Sequence, residues 1–245
     1  MSTLTSSKTD ISKNKEIKTN VIPKENFQDL KNWKYCSKCS SVLYNNVTGH
    51  FAEFLVNYVP KGVAPNTVTA FAFFFSSISM VLSFIDCGLN NERYASTSIC
   101  YISAACYFTY QTLDNIDGKL ARKLKASSAL GFFFDHNLDS YSISTITITG
   151  MSIFGLTSSF ENNLIYLATT IAFFMTTWEE YVTGVMNLPI FSGVDEGAYV
   201  TICIFIISGY YGSDFWTKNE LFGFQLKKLI MLNLLFLSSV FILIK

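Results

Sequence analysis

Long apolar runs dominate the chain from about residue 63 onward. Each run is close to the roughly 20 residues that an α-helix needs to cross the hydrocarbon core of a bilayer. We therefore expect an all-α fold, a polytopic membrane helix bundle of about six transmembrane helices. The expected spans are Val63–Phe84, Ala95–Leu113, Gly131–Phe154, Leu164–Thr183, Ala198–Tyr211 and Leu229–Ile244.

Two segments of different character precede the first span. Residues 1–33 are rich in Ser, Thr, Lys, Asn and Glu and lack the apolar core of a signal peptide, so we expect a disordered cytosolic tail. Between Leu43 and Tyr58, apolar side chains recur at helical spacing in a stretch too short and too polar to span a bilayer. This pattern predicts an amphipathic helix on the membrane surface. Residues 34–245 are expected to form one membrane domain.

The composition agrees with a membrane protein. The chain is 50% hydrophobic and 15% charged, whereas soluble domains carry about 25% charged residues. Lys+Arg and Asp+Glu both number 18, and no basic stripe with interleaved aromatic residues occurs. We therefore expect no nucleic acid among the partners. Cys36 and Cys39 alone fall short of the four ligands that a structural zinc site needs.

Basic residues indicate the orientation of the chain in the membrane. A positive cluster lies between the second and third spans, and positive loops stay in the cytosol. The N-terminal tail is then cytosolic as well. The cluster contains Lys119, Arg122, Lys123 and Lys125, of which Lys123 and Lys125 are expected to act only on topology or on lipid headgroups.

Four aspartates lie near the same reversal of the chain. Asp114 and Asp117 are three residues apart, and Asp135 and Asp139 are four apart, so each pair lies on one helix face. Carboxylates gathered in a low dielectric repel one another unless they are protonated or bind a divalent cation. All-oxygen ligands favour Mg²⁺, Mn²⁺ or Ca²⁺. Two pairs flanking one reversal favour such a site over separate aspartates facing headgroups and water.

Small residues accompany the aspartates. Gly118 follows Asp117, Ala121 lies three residues further on, and Gly131 lies one turn before Asp135. Glycine and alanine let a flat nucleobase approach closely, although plain helix–helix packing would use them equally well.

Polar residues offer further candidate contacts. Arg122 carries a forked donor suited to phosphate. Asn66 either caps the first span or touches the same ligand. Glu179 and Glu196 lie near the cytosolic face, where they either bind a cationic group or are solvated.

Together the acidic and small residues form one pattern with fixed spacing, Asp114-x2-Asp117-Gly118-x2-Ala121-Arg122-x8-Gly131-x3-Asp135-x3-Asp139. It resembles the full signature of the CDP-alcohol phosphatidyltransferase family. The flanking stretches resemble eukaryotic choline and ethanolamine phosphotransferases, notably Tyr110-Gln111-Thr112-Leu113, Phe134-Asp135-His136 and Trp178-Glu179-x-Tyr181.

This resemblance implies a function. The enzyme would transfer phosphoethanolamine or phosphocholine from a CDP-alcohol to diacylglycerol and release CMP, using Mg²⁺ or Mn²⁺. It also implies an endoplasmic reticulum or Golgi membrane and, in many members, a homodimer, and the orientation expected from the basic cluster makes the site face the cytosol. The Asp-His-x-Leu-Asp-Ser string and Leu188-Pro189 look slightly closer to the ethanolamine enzymes.

The resemblance also implies roles for residues. The aspartates would hold the metal, and the CMP moiety would contact Gly118, Ala121 and Arg122, with Asn66 and Gly131 nearby. Asp139 matches the family position of the base that accepts the hydroxyl proton, and His136 is its competitor. We favour Asp139, because a helix neighbour of Asp135 points roughly 100° away from it. The metal ligands are Asp114, Asp117, Asp135 and Asp139.

Departures from the family leave alternatives open. Asn137-Leu138 replaces the Gly-Cys of many relatives, and the chain ends at Lys245 after about six spans, where full-length relatives have about ten. We therefore expect a truncated or minimal form. The alternatives are another member of the family, such as a phosphatidylinositol synthase, and a non-catalytic membrane paralogue. A transporter is less favoured, because neither broken helices nor related halves are evident.

Overall fold

The computed structural model describes residues 27–33, 35–88, 93–155, 160–190, 193–230 and 232. Most of the described chain is helical, in agreement with the all-α prediction. The helices are α1 Phe27–Asn32, α2 Gly49–Leu55, α3 Pro65–Cys87, α4 Thr97–Lys123, α5 Ala129–Ile153, α6 Phe160–Thr183, α7 Glu196–Tyr211 and α8 Phe215–Lys218. Four short strands accompany them, β1 Ser37–Cys39, β2 Met186–Leu188, β3 Glu220–Leu221 and β4 Phe224–Gln225.

The chain divides into two units at residue 33. Helix α1 lies in the first unit, and every other element lies in the second, residues 34–245. Within the second unit, α3 packs on α4 and α5, α4 packs on α7, and α5 packs on α6.

Helices α3 to α7 correspond to the first five predicted spans. The largest difference is in α4, which continues to Lys123 although the apolar run ends at Leu113. Lys119, Arg122 and Lys123 therefore belong to the helix, and the predicted basic loop was wrong for these three residues. The sixth predicted span falls almost wholly outside the described residues.

Only one helix among the described residues is both long and apolar enough to cross a membrane, namely α3. Helix α7 is apolar but has 16 residues, a length of about 24 Å against a hydrocarbon core of about 30 Å. The helices α4, α5 and α6 are long enough, with 27, 25 and 24 residues, but they carry many hydroxyl or charged side chains. The structure therefore supports a helical bundle with one clear candidate span.

Small buried residues let the long helices approach one another. Ser76 of α3 donates a hydrogen bond to Ser142 of α5, with 3.3 Å between the oxygens. One apolar core lies where α3, α4, α5 and α7 meet, formed by Cys87, Ala95, Cys100, Ala104, Ile153, Ile202 and Phe205. Serine pairs and alanine contacts of this kind are typical of helix packing in membranes.

The predicted amphipathic helix is present as a π-helical turn, Tyr44–Thr48, that continues into α2. Its inner side packs on α3 and α4 through Ala52 and Val56. Its outer side carries exposed apolar side chains, namely Val47, Phe51, Phe54 and Tyr58. Such an outward apolar face suits a helix on a membrane surface, and that location stays a prediction.

Two lysines fasten α2 and the residues after it to α4. The Lys119 ammonium lies 3.1 Å from a Glu53 carboxylate oxygen, and the Lys123 ammonium donates to Asn57 Oδ1 over 2.8 Å. The prediction that Lys123 acts only on topology or on lipid headgroups was therefore incomplete, because its side chain also joins α4 to the residues after α2.

Residues 35–43, called the strap below, run beside the segment that connects α6 to α7. In the strap β1 pairs in parallel with β2, so that Ser37 lies opposite Met186. The pairing continues as the Ser40 amide donates to the Leu188 carbonyl over 3.0 Å. The sequence pattern predicted none of this, because three-residue strands leave no periodic signal.

A buried side-chain contact fixes the end of the strap. Glu196, at the start of α7, accepts hydrogen bonds from the Ser41 hydroxyl over 2.8 Å and from the Leu43 amide over 3.1 Å. The Ser41 hydroxyl in turn accepts from the Tyr44 amide over 3.0 Å. Glu196 therefore holds the strap, a structural role that was not predicted from the sequence.

Replacing Ser41 tests this attachment. Ser41→Ala removes one hydroxyl from a fully buried position and leaves Glu196 with one donor fewer, so we expect a loss of about 1 kcal/mol. Amide hydrogen exchange over residues 186–190 should then be faster than in the unmodified protein. Ser40→Ala, at an exposed position, is the control, and equal exchange rates in both variants would contradict the assignment.

Candidate active site

A helical hairpin brings the four aspartates together. Helix α4 ends at Lys123 and α5 begins at Ala129. The Ser128 hydroxyl caps α5 by accepting from the Gly131 amide over 3.1 Å, and Lys125 has a φ of 53°, in the left-handed region. A capped helix start directly after a tight reversal places the beginning of α5 beside the end of α4.

The carboxylates of the two pairs converge. One ligand oxygen from each of Asp114, Asp117 and Asp135 lies within 4.8 Å of the others, and so do ligand atoms of Asp135, His136 and Asp139. The Asp114 side chain is also within hydrogen-bonding reach of Asp139. All four predicted metal ligands therefore face one small volume between α4 and α5.

Two hydroxyl groups orient the aspartates. Thr69 of α3 donates to Asp117 Oδ2 over 2.6 Å, and Tyr110 of α4 donates to Asp139 Oδ1 over 3.0 Å. Neither residue was predicted as part of the site. The available signals were the Ala64-Pro65-Asn66-x-x-Thr69 stretch and the position of Tyr110 one turn before Asp114.

The cluster fits a divalent cation. Asp117 is 5% exposed, and Asp135 Oδ1 is buried without a hydrogen-bond partner in the described part of the chain. Buried carboxylates need a compensating charge, whereas the hydroxyl groups of Thr69 and Tyr110 are neutral. Oxygen ligands of this type suit Mg²⁺ or Mn²⁺.

The predicted CMP contacts fall into two neighbouring pairs. A Cβ on Gly118 would lie 3.5 Å from Arg122 Nη1, and one on Gly131 would lie 3.4 Å from Asn66 Oδ1. Ala121 is half-buried on α4 and lies on the same face as Asp117 and Gly118.

Asn66 does not cap α3. Ala64 is the N-cap residue and Pro65 occupies the first turn, so the capping prediction was wrong. Proline lacks an N–H and has a preset φ, so it favours a helix start at its own position. Asn66 is exposed and lies three residues before Thr69, on the face that reaches the aspartates.

His136 lies between the aspartates and α6. Its Nε2 lies 3.2 Å from Glu180 Oε2, and its Nδ1 lies 3.8 Å from Asp135 Oδ2. The ring packs against Phe132, with 4.1 Å between the ring centroids. Glu180 was not predicted to take part, because its contact with His136 depends on how α5 packs against α6.

A cavity of about 530 Å³ opens between α5 and α6. His136 and Phe132 lie at one end of it, and further lining residues are Asn137, Ser140, Tyr141, Ser144, Thr170, Phe173, Phe174 and Thr177. Aromatic rings dominate the lining, and hydroxyl groups are placed among them. This composition suits a ligand that is mostly apolar and has a few polar groups.

Glu179 faces the protein. It accepts a hydrogen bond from Asn187 Nδ2 over 3.0 Å, so it ties α6 to β2. From the sequence we expected Glu179 either to bind a cationic group or to be solvated, and this contact with Asn187 was not predicted.

Taken together, the fold and the site define a helical protein with one candidate membrane span and an acidic cluster that could hold a divalent cation. Residues 62–240 match the model of the CDP-alcohol phosphatidyltransferases. The chain belongs to this family of membrane-bound transferases of lipid synthesis, which use a divalent metal.

Curated relatives point to the same family. The chain is 35% identical over 210 residues to uncharacterized CDP-alcohol phosphatidyltransferase class-I family protein 1 of Dictyostelium discoideum, covering 82% of this chain and 53% of that protein. It is 31% identical over 202 residues to choline/ethanolaminephosphotransferase 1 of Saccharomyces cerevisiae, covering 82% and 51%. It is 28% identical over 214 residues to ethanolaminephosphotransferase 1 of Mus musculus, covering 84% and 53%. The chain thus spans about half the length of these relatives.

Removing one carboxylate tests the cation centre. Asp135 belongs to both sets of converging ligand atoms, the one with Asp114 and Asp117 and the one with His136 and Asp139. Asp135→Asn keeps the shape of the side chain but removes its negative charge, so we expect Mn²⁺ affinity to fall by at least about tenfold. Electron paramagnetic resonance of free Mn²⁺ measures this directly. Glu53→Gln, which removes a charge from exposed α2, is the matched control. Equal affinities in the two variants would refute the assignment.

Thr69 provides a second test, because it acts through Asp117. Thr69→Val keeps the branched shape and removes the hydroxyl donor, and loss of such a contact weakens metal binding by roughly 10- to 100-fold. Thr69→Ser restores a hydroxyl and should recover most of the affinity in the same titration. If valine and serine bind Mn²⁺ equally well, the hydrogen bond does not orient Asp117.

Proposed function

We propose that the protein transfers phosphoethanolamine or phosphocholine from a CDP-alcohol to diacylglycerol and releases CMP. The convergence of four aspartates beside a mainly aromatic cavity is the observation that carries this proposal. The names of the yeast and mouse relatives support the choice of substrates. The enzyme would act in the endoplasmic reticulum or Golgi membrane, with its site facing the cytosol and a homodimer as the assembly.

The donor would bind at the α4–α5 hairpin. A divalent cation held by Asp114, Asp117, Asp135 and Asp139 would screen the negative charge of the donor pyrophosphate. The guanidinium of Arg122 would donate hydrogen bonds to a phosphate of the donor. The absence of a side chain at Gly118 leaves room on α4 for the cytidine, next to Arg122 Nη1.

The acceptor would enter through the cavity between α5 and α6. Phe173 and Phe174 provide apolar surface for acyl chains, and Ser140 and Ser144 provide polar contacts. The acceptor hydroxyl oxygen would attack the phosphorus that carries the alcohol, and the bond from that phosphorus to the CMP oxygen would break. Alignment of the hydroxyl by the cavity walls lowers the barrier.

A base must accept the proton of that hydroxyl, and two residues compete. Asp139 accepts from Tyr110 and adjoins Asp114, which holds it among the metal ligands. His136 lines the cavity, and Glu180 lies within hydrogen-bonding distance of its Nε2. A carboxylate that orients an imidazole in this way is typical of general bases. We therefore favour His136, with Glu180 as its positioning residue, over the Asp139 preferred from the sequence.

A transfer assay tests the function and the base together. Purified protein in lipid vesicles receives labelled CDP-ethanolamine, diacylglycerol and Mg²⁺, and the product is headgroup-labelled lipid. We expect His136→Gln to lower kcat by roughly 10²- to 10⁴-fold with Mn²⁺ affinity retained, whereas Asp139→Asn should weaken Mn²⁺ binding as well.

Two controls make the assay decisive. Cys203→Ser, on the exposed side of α7, should transfer at the unmodified rate. Replacing the donor with a CDP-activated lipid and the acceptor with inositol tests the phosphatidylinositol synthase alternative. Transfer with that pair alone would overturn the proposed substrates, and an unchanged rate in His136→Gln would overturn the base.

A further inference from the structure

An aromatic pair stands beside the candidate site and has no role in the proposed reaction so far. Tyr35, from the strap, and Phe132, from the first turn of α5, have ring centroids 5.5 Å apart at an interplanar angle of 42°. Phe132 lies one turn before His136 and contacts its ring. The pair therefore extends from the surface to the residues that line the cavity.

The strap holds Tyr35 in this position. The Tyr35 hydroxyl donates to Met186 Sδ over 3.2 Å, and the Met186 amide donates to the Cys36 carbonyl over 3.1 Å. The phenol is thereby anchored to Met186, the residue at which the strand pairing begins. Tyr35 nevertheless remains 39% exposed, so part of its surface is accessible to a ligand.

Charges of both signs surround the ring. The pKa of the Tyr35 phenol is raised to about 12, chiefly by burial and also by the negative charges of Glu180 and Asp135, against a hydrogen bond with Ser37 and the positive charge of Arg122. Tyr35 therefore lies within electrostatic range of two carboxylates and one guanidinium. A phosphoalcohol has the complementary pair of charges, a phosphate for Arg122 and a cationic nitrogen for the acidic and aromatic side.

We propose that Tyr35 and Phe132 form the surface that binds the cationic nitrogen of the donor headgroup, and this inference rests on the proposed function. Aromatic faces attract ammonium and quaternary ammonium groups through the ring quadrupole. Choline has no N–H to donate, so it depends on such faces, whereas an ethanolamine ammonium would also bond to Glu180 or water. The strap is then part of the donor site as well as a structural link.

The charge of the headgroup offers a selective test. CDP-choline is compared with the CDP ester of 3,3-dimethylbutanol, which has nearly the shape of choline but no charge. We expect Tyr35→Leu to raise KM for CDP-choline by roughly 3- to 30-fold, the range of a cation–π contact, with kcat little changed. KM for the neutral ester should stay the same, and Tyr35→Phe should behave as the unmodified protein.

Two further measurements separate recognition from stability. Met186→Leu removes the sulfur acceptor of the Tyr35 hydroxyl and leaves the ring, so its KM for CDP-choline should rise less than that of Tyr35→Leu. An equal rise for the charged and neutral donors in Tyr35→Leu would show that the ring only supports the fold. An unchanged KM for CDP-choline in that variant would also overturn the inference.

Failure of the proposed function has a different signature. If the unmodified protein transfers from neither donor, the function is wrong, and calorimetric binding of the two donors still decides the inference. Tighter binding of CDP-choline than of the neutral ester, abolished in Tyr35→Leu, would support the aromatic surface. Equal binding of both donors by the unmodified protein would refute it.

Discussion

Repulsion among Asp114, Asp117, Asp135 and Asp139 is the constraint on which the rest of the site depends. Four carboxylates in one small, partly buried volume are stable only if a positive charge or protons compensate them. The surrounding structure holds the acids in place and does not separate them: Ser128 starts α5 directly after the reversal, and hydroxyl groups bond to Asp117 and Asp139. Such an arrangement costs stability without a ligand and favours the binding of a divalent cation.

The same helices divide the site into two sides. On α5, Asp135 joins the aspartates, and His136 reaches from Asp135 to Glu180 and the cavity. In the proposed reaction, the charged donor would bind on the side of the aspartates and the apolar acceptor on the side of the cavity, and the two would meet near His136. The strap lies next to the start of α5, because Glu196 and β2 fix its position there.

Features that depend on local spacing could be predicted from the sequence. The pairs at intervals of three and four residues, separated by a short reversal, were enough to predict that the aspartates converge, since side chains three or four residues apart share a helix face. The extent of α4 could not be predicted from hydropathy, because its last turns are polar and their side chains contact Glu53 of α2 and Asn57 beyond it. Asn66 was misassigned because Pro65 begins the helix and makes Ala64 the N-cap, two residues earlier.

Features that depend on distant residues could not be predicted. Thr69 and Asp117 are 48 positions apart, His136 and Glu180 are 44 apart, and Ser41 and Glu196 are 155 apart. No periodicity links such pairs, and the strap strands are too short to leave a pattern. The proposal of His136 as the base over Asp139 therefore rests on the packing of α5 against α6, which the sequence does not reveal.

Anomalous X-ray diffraction from crystals grown with Mn²⁺ and a CDP-alcohol would test the central claim most directly. We predict one or two Mn²⁺ peaks between α4 and α5, at about 2.0–2.6 Å from the aspartate oxygens, with the donor pyrophosphate in contact. Ordered aspartates with no peak between them, or Mn²⁺ bound elsewhere on the protein, would contradict the account.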